Sequence, residues 1–328
     1  MDWEQRCIRF CAAVLLCAVA LRLWSAGALI PVGQALQRSE TASFLLYLHT
    51  GRVVRALPVE AQELLPQLTE PQRAEVREGV TFSAEDAALV GIDYNCAQQP
   101  DLEALLTAPL ELDLAGEGPK VLILHSHTTE SFAQSGERYV ESSAYRTLDA
   151  GHNMIALGEI VADILEAAGV AVIHDTTLHD YPSYNGSYSH AAASTKAYLE
   201  QYPTIELILD LHRDAADTPS GQLVTKCTVG GEPAAQLMFV MGTDTRLSHP
   251  DWERNLSLAL KLQVLLEKEH PGICRDMNLT QNRYNQHLGN YALLIEIGAA
   301  GNTLDQAKRA AKELGEAITA LLCSTNAE

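Results

Sequence analysis

From residue 118 onward the chain alternates short apolar runs with amphipathic stretches, the pattern of strands and helices taken in turn. Residues 121–124 read V-L-I-L, the length and composition of a strand buried on both faces. Residues 153–168 carry apolar side chains at helical spacing through Ile155, Leu157, Ile160, Ile164 and Leu165, with Gly169 as the stop. Then come a strand at 170–173, a helix at 191–199 and a third strand at 205–211. Runs at 222–229 and 235–241 read as a hairpin turned at Gly230-Gly231. A helix at 256–266, a strand at 292–297 (A-L-L-I-E-I) and a closing helix at 303–322 complete the series. This alternation predicts an α/β fold, a mainly parallel twisted sheet with helices on both faces.

The N-terminal part follows a different pattern. Arg6 and Arg9 precede an apolar run from Phe10 to Leu21, and Arg22 and Trp24 follow it. The run is short of the roughly 20 residues of a membrane span, but flanking arginines can extend it by snorkelling. Residues 1–30 are therefore expected to be a membrane anchor, and the continuing basic flank favours retention over cleavage near Ala26 and Ala28. Residues 31–117 contain Pro58, Pro66 and Pro71, acidic patches and a helix expected at 39–50. They are expected to be a juxtamembrane spacer with short helices. Gly116-Glu117-Gly118-Pro119 reads as the linker to a catalytic domain at 118–328.

Composition narrows the function classes. A net charge of −19 opposes bulk binding to nucleic acid or anionic lipid. The seven cysteines contain no C-x-x-C pair, so neither a zinc knuckle nor a thioredoxin motif is present.

The chemistry falls where apolar runs end. The first strand breaks into H-S-H-T-T-E-S at 125–131, the third leaves as D-L-H-R-D at 210–214, and the last contains Glu296. In open α/β sheets the carboxyl ends of the strands lie along one edge, so these distant residues can converge. His127 and Glu130 form an H-x-x-E pair, and His212 adds a second imidazole. Two imidazoles and one carboxylate leave the fourth position of a tetrahedral zinc open for water. Glu296, an ionisable group in an apolar strand, can move the proton. H-x-x-E alone is a common chance pattern, and a histidine ending a strand often only bonds backbone. A carboxylate in an apolar run is harder to dismiss, because it is costly unless paired or functional.

His125 rivals His127 as ligand; His127 is preferred because it shares the turn with Glu130. Asp210 and His212 share a strand face, so Asp210 can orient the imidazole. Arg213 either holds a substrate carboxylate or oxyanion or pairs with Asp214. Tyr181, Tyr184 and Tyr188 form a groove wall or pack among themselves, and Asn285 and Gln286 can line the same edge. His152, His174, His179 and His190 show no partner spacing.

The blocks H-S-H-T-T-E-S-F at 125–132, D-L-H-R-D-A at 210–215, and R-Y-N-Q followed by L-L-I-E-I-G-A-A-G-N-T within 283–303 resemble the stage II sporulation protein P family. The likeness extends over 118–322 and keeps the order of every block. It implies an amidase-like (phosphorylase/hydrolase-like) fold and a zinc-dependent peptidoglycan hydrolase related to the N-acetylmuramoyl-L-alanine amidases, with endopeptidase activity on cross-links. It further implies action during engulfment, at the cell membrane with the catalytic domain outside the cytoplasm. A glycan-cleaving protein and a recruiting membrane protein are the implied partners. Block by block, His127, Glu130 and His212 match the zinc ligands and Glu296 the catalytic carboxylate. The wider amidases carry the ligating Glu at the start of the first helix, where this chain has none around residues 150–153, so Glu130 is the candidate. Two other readings stand: a metallocarboxypeptidase, and a non-catalytic wall-binding scaffold.

Overall fold

The structure is a computed structural model that describes residues 80–133, 145–219 and 221–324, all within one compact unit, Arg73–Glu328. The expected anchor at 1–30 and the helix expected at 39–50 lie outside the described residues. Among the described residues no helix is long and apolar enough to cross a membrane.

A short 3-10 helix at Ala84–Leu89 leads into β1 (Ile92–Asn95), α1 (Leu102–Thr107) and β2 (Val121–Leu124). Then come α2 (Met154–Ala167), β3 (Val172–His174), α3 (Ser187–Gln201) and β4 (Leu207–Asp214). Four short strands follow: β5 (Asp217–Thr218), β6 (Gly221–Gln222), β7 (Cys227–Val229) and β8 (Glu232–Ala234). The chain closes with β9 (Leu237–Gly242), α4 (Trp252–Glu269), β10 (Met277–Thr280), β11 (Tyr291–Ala299) and α5 (Leu304–Ser324). The expected ends of α2 are present: the Asn153 side chain accepts from the Ile155 amide at 3.0 Å, and Gly169 takes φ +85°.

The central sheet has seven strands in the order β1-β10-β9-β11-β4-β2-β3. All neighbours pair in parallel except β9 and β11, which run antiparallel. The mainly parallel sheet expected from the alternation is present.

Two expectations need correction. The domain does not begin at residue 118: β1 pairs with β10, and Leu106 of α1 is fully buried in the main core. The sequence I-D-Y-N of β1 gave no apolar run because the strand lies at the sheet edge, mostly exposed. The hairpin expected from 222 to 241 is smaller. Only β7 and β8 pair around Gly230-Gly231, at φ +58° and +86°, and β9 belongs to the central sheet.

The alternation of side chains along β4 and β11 divides the two faces. Leu207, Leu209 and Leu211 join Leu293, Ile295 and Ile297 in the main core with α2, α4 and α5. Ile208 and Ala292 face the other way, with Leu122 and Leu124, and meet Ala191, Tyr198 and Leu199 of α3. Helices thus cover both faces, three long ones against a single one. Asp210, His212, Leu294 and Glu296 continue the face of Ile208 and Ala292, so the polar ends emerge where only α3 covers the sheet.

Candidate active site

Register builds the site. Glu296 of β11 is the direct partner of His212 of β4, and Leu124 at the end of β2 is the partner of Asp210. The chain leaving β2 is tied back at once. Ser126 donates to Asp210 from its amide at 2.8 Å and its hydroxyl at 2.6 Å. Thr128 Oγ1 donates to the His125 carbonyl at 2.7 Å, and the Glu130 amide donates to the His127 carbonyl at 3.1 Å. This turn brings His127 and Glu130 beside the end of β4.

His212 stands between two carboxylates. Its Nε2 is 2.9 Å from Asp210 Oδ1, and its Nδ1 is 3.6 Å from Glu130 Oε2. Its ring centroid is 5.3 Å from that of His127, with the planes perpendicular. Glu130 also accepts from the Arg213 amide at 3.2 Å and faces the guanidinium groups of Arg213 at 3.4 Å and Arg146 at 3.5 Å. Arg146 further binds Asp180, whose carboxylate accepts from the Thr129 amide and hydroxyl.

Tyrosines close the other side. Tyr184 lies flat on His127 at 4.6 Å with its hydroxyl 3.2 Å from Nε2, and Arg146 covers the Tyr184 ring at 4.6 Å. Tyr188 meets His127 edge-on and stacks on His212.

Burial and charge set the protonation. Burial pushes the Glu296 carboxyl up to about 8, against the pull of His212. Burial opposes charge on His212, but Asp210 and Glu130 outweigh it and hold the imidazole well above its ordinary value. Burial likewise opposes charge on Glu130, yet the His212 hydrogen bond and the Arg213 charge keep that carboxyl below its usual range. Burial drives His127 down to about 4, so it is neutral at pH 7.

The structure thus gathers His127, Glu130, His212 and Glu296 in one place, with Asp210 bound to His212 as expected. His125 is fully buried beside them but turned into the fold: its Nδ1 contacts the Leu211 carbonyl at 3.0 Å and its Nε2 the His174 Nε2 at 2.9 Å. Arg213 is buried too. Its guanidinium holds Glu130 and the carbonyls of Ser131 (3.0 Å) and Tyr145 (2.9 Å), while Asp214 pairs with Arg275 at 2.6 Å. His179 also proves to be paired, with Asp175 at 3.1 Å. The sequence gave no sign of Arg146 and Asp180, which lie in stretches without periodicity. Tyr284 was visible only as the middle of R-Y-N-Q, and it takes φ +48°.

As the side chains stand, no group of three or more His, Cys, Asp or Glu among the described residues is spaced to hold a metal. Among the buried atoms of the described residues that lack a hydrogen-bond partner are His127 Nδ1 and Glu296 Oε2. His212 brings positive charge between two carboxylates, where a bound cation would also be favoured. In kind these donors fit zinc, whose usual ligands are imidazole and carboxylate.

Comparison with known proteins places this site in a lineage. Among solved structures the chain is similar to N-acetylmuramoyl-L-alanine amidase AmiC2 of Nostoc punctiforme, at 16% identity and TM-score 0.38, covering 63% of this chain and 97% of that one. It is also similar to the catalytic domain of CwlV, an N-acetylmuramoyl-L-alanine amidase from Bacillus (Paenibacillus) polymyxa var. colistinus, at 13% identity and TM-score 0.36, covering 62% and 98%. Superpositions that loose carry no argument about activity. The sequence match is firmer. Over 215 residues the chain is 26% identical to stage II sporulation protein P of Bacillus subtilis (strain 168), covering 62% of this chain and 51% of that protein. The chain thus spans about half the length of this curated relative. The family model of Stage II sporulation protein P (SpoIIP) matches residues 54–319, which include every residue of the site, and the chain belongs to that family.

Proposed function

We propose that this chain is a zinc-dependent peptidoglycan hydrolase of endospore formation. Its principal target is the amide between muramic acid and L-alanine, with stem-peptide cross-links as a second target. Membership of the sporulation family supports the setting. The observation that carries the chemistry is the register of Glu296 against His212, with the buried Glu296 Oε2 unpartnered.

His127, Glu130 and His212 would hold the ion. Zinc bound there polarises a carbonyl and acidifies a water. The remaining work belongs to the chain. Glu296 takes a proton from the attacking water and returns it to the leaving nitrogen, and a carboxyl raised towards neutrality suits both directions. Asp210 fixes the orientation of His212. Arg213, tied to two carbonyls, holds Glu130 in place.

In this reading residues 1–30 anchor the protein in the cell membrane with the catalytic domain outside the cytoplasm. A glycan-cleaving protein and a recruiting membrane protein are its partners in engulfment.

The test uses the full chain, zinc-loaded, on purified peptidoglycan, with mass spectrometry of the released fragments. Whole stem peptides beginning at L-alanine are expected from wild type, and about 10²-fold less or lower from Glu296→Gln. Release of single C-terminal amino acids would favour the carboxypeptidase. Equal digestion by Glu296→Gln would remove the mechanism.

A further inference from the structure

Tyr188, the second residue of α3, stands at the centre of the site. Its ring meets His127 edge-on at 5.2 Å and 83°, and lies nearly parallel to His212 at 6.1 Å and 12°. On another side it packs against Tyr284 at 5.5 Å. The backbone beneath it is pinned, because Asn285 Nδ2 donates to the Tyr188 carbonyl at 2.8 Å. Gln286 locks the same turn onto β9, accepting from the Gly242 amide and donating to the Val240 carbonyl, each at 2.7 Å. That turn holds Tyr284 at φ +48°, a conformation that a bulky side chain adopts only when its surroundings impose it.

The ring is therefore fixed on several sides, while its hydroxyl makes no hydrogen bond to a described residue. The result is an O–H held beside His127 and His212 with its proton uncommitted. A preorganised donor of this kind is what a developing oxyanion needs.

We propose that Tyr188 is a catalytic residue that donates a hydrogen bond to the oxygen of the scissile carbonyl. The inference rests on the amide-hydrolase reading above. Water adds to the carbonyl carbon, its proton passes to Glu296, and the carbonyl π pair moves onto oxygen, where the Tyr188 O–H meets it. On collapse that pair restores the C=O bond, the C–N bond breaks, and Glu296 gives the proton to nitrogen. Tyr188 keeps its own proton throughout.

Tyr188→Phe preserves the ring contacts and removes only the donor. In the full chain, zinc-loaded and acting on purified peptidoglycan, kcat is expected to fall about 100- to 1,000-fold. KM, zinc affinity by chelator competition and the urea midpoint are expected to stay unchanged. The inhibition constant of a phosphinate isostere of the scissile amide should rise by a similar factor, since it resembles the tetrahedral state. A Tyr188→Phe protein within threefold of an active wild type overturns this inference alone. A loss of kcat matched by a loss of zinc affinity also overturns it, by making the ring a support for the ion. A zinc-loaded wild type that releases no stem peptides removes the amide-hydrolase reading and this inference with it.

Discussion

Gly158 lies in the middle of α2, where replacement of glycine by alanine ordinarily stabilises a helix by about 1 kcal/mol. The structure reverses that sign. A Cβ at this position would lie 2.4 Å from His174 Nε2 and 2.7 Å from His125 Nε2. His125 cannot withdraw, because it is fully buried and its Nδ1 is held 3.0 Å from the Leu211 carbonyl. The strain therefore falls on half-buried His174, which must leave the 2.9 Å contact with His125. Losing that contact costs about 1 kcal/mol, and forcing a methyl into a packed site costs about 1–3 kcal/mol more. Against the propensity gain, Gly158→Ala should be less stable by about 1–3 kcal/mol. Urea unfolding should show a lower midpoint at unchanged slope. In a His174→Ala background only the contact with His125 remains, and the same substitution should cost less, a coupling that a double-mutant cycle reads directly. A Gly158→Ala protein at least as stable as wild type would refute the reasoning.

Two more expectations concern buried polar groups that take no part in the chemistry. Asn302 is fully buried and accepts from the Thr225 amide (3.1 Å) and hydroxyl (3.2 Å) and the Ala299 amide (3.0 Å), while donating to the Thr225 carbonyl (2.6 Å) and Gln306 (2.9 Å). Asn302→Ala strands three backbone groups and should cost about 3–5 kcal/mol in urea unfolding; a cost below about 1 kcal/mol would show that other groups satisfy them. Lys261 is buried, with its ammonium on the Leu105 carbonyl at 2.7 Å and Ser257 at 2.9 Å, and burial lowers its pKa from 10.5 to about 8. Between those values the unfolded chain binds the proton more tightly, so stability should rise with pH across that window, by at most about 3 kcal/mol. Lys261→Met should remove that slope; a slope that survives the substitution would place its origin in another group.

The sequence by itself determined a good deal, because local rules govern it. The apolar run of β2 and its polar break, the spacing of α2 and its glycine stop, and the apolar run around Glu296 all follow from periodicity and from the cost of burying polar groups. They marked His127, Glu130, His212 and Glu296, and the combined blocks led to the family. What the sequence could not determine were properties of contact. Edge strand β1 is mostly exposed and carries no apolar run, so the domain boundary emerged only from its pairing with β10. Arg213 could be recognised as a cation, but which anion it holds depends on where the turn after β2 comes to rest. Tyr188 looked like one loop aromatic among several, and only the packing of α3 over the sheet puts its ring against His127 and His212. The sequence fixes which side chains leave each strand. Which of them meet depends on register and helix docking, and those are set by burial summed over contacts far apart in the chain.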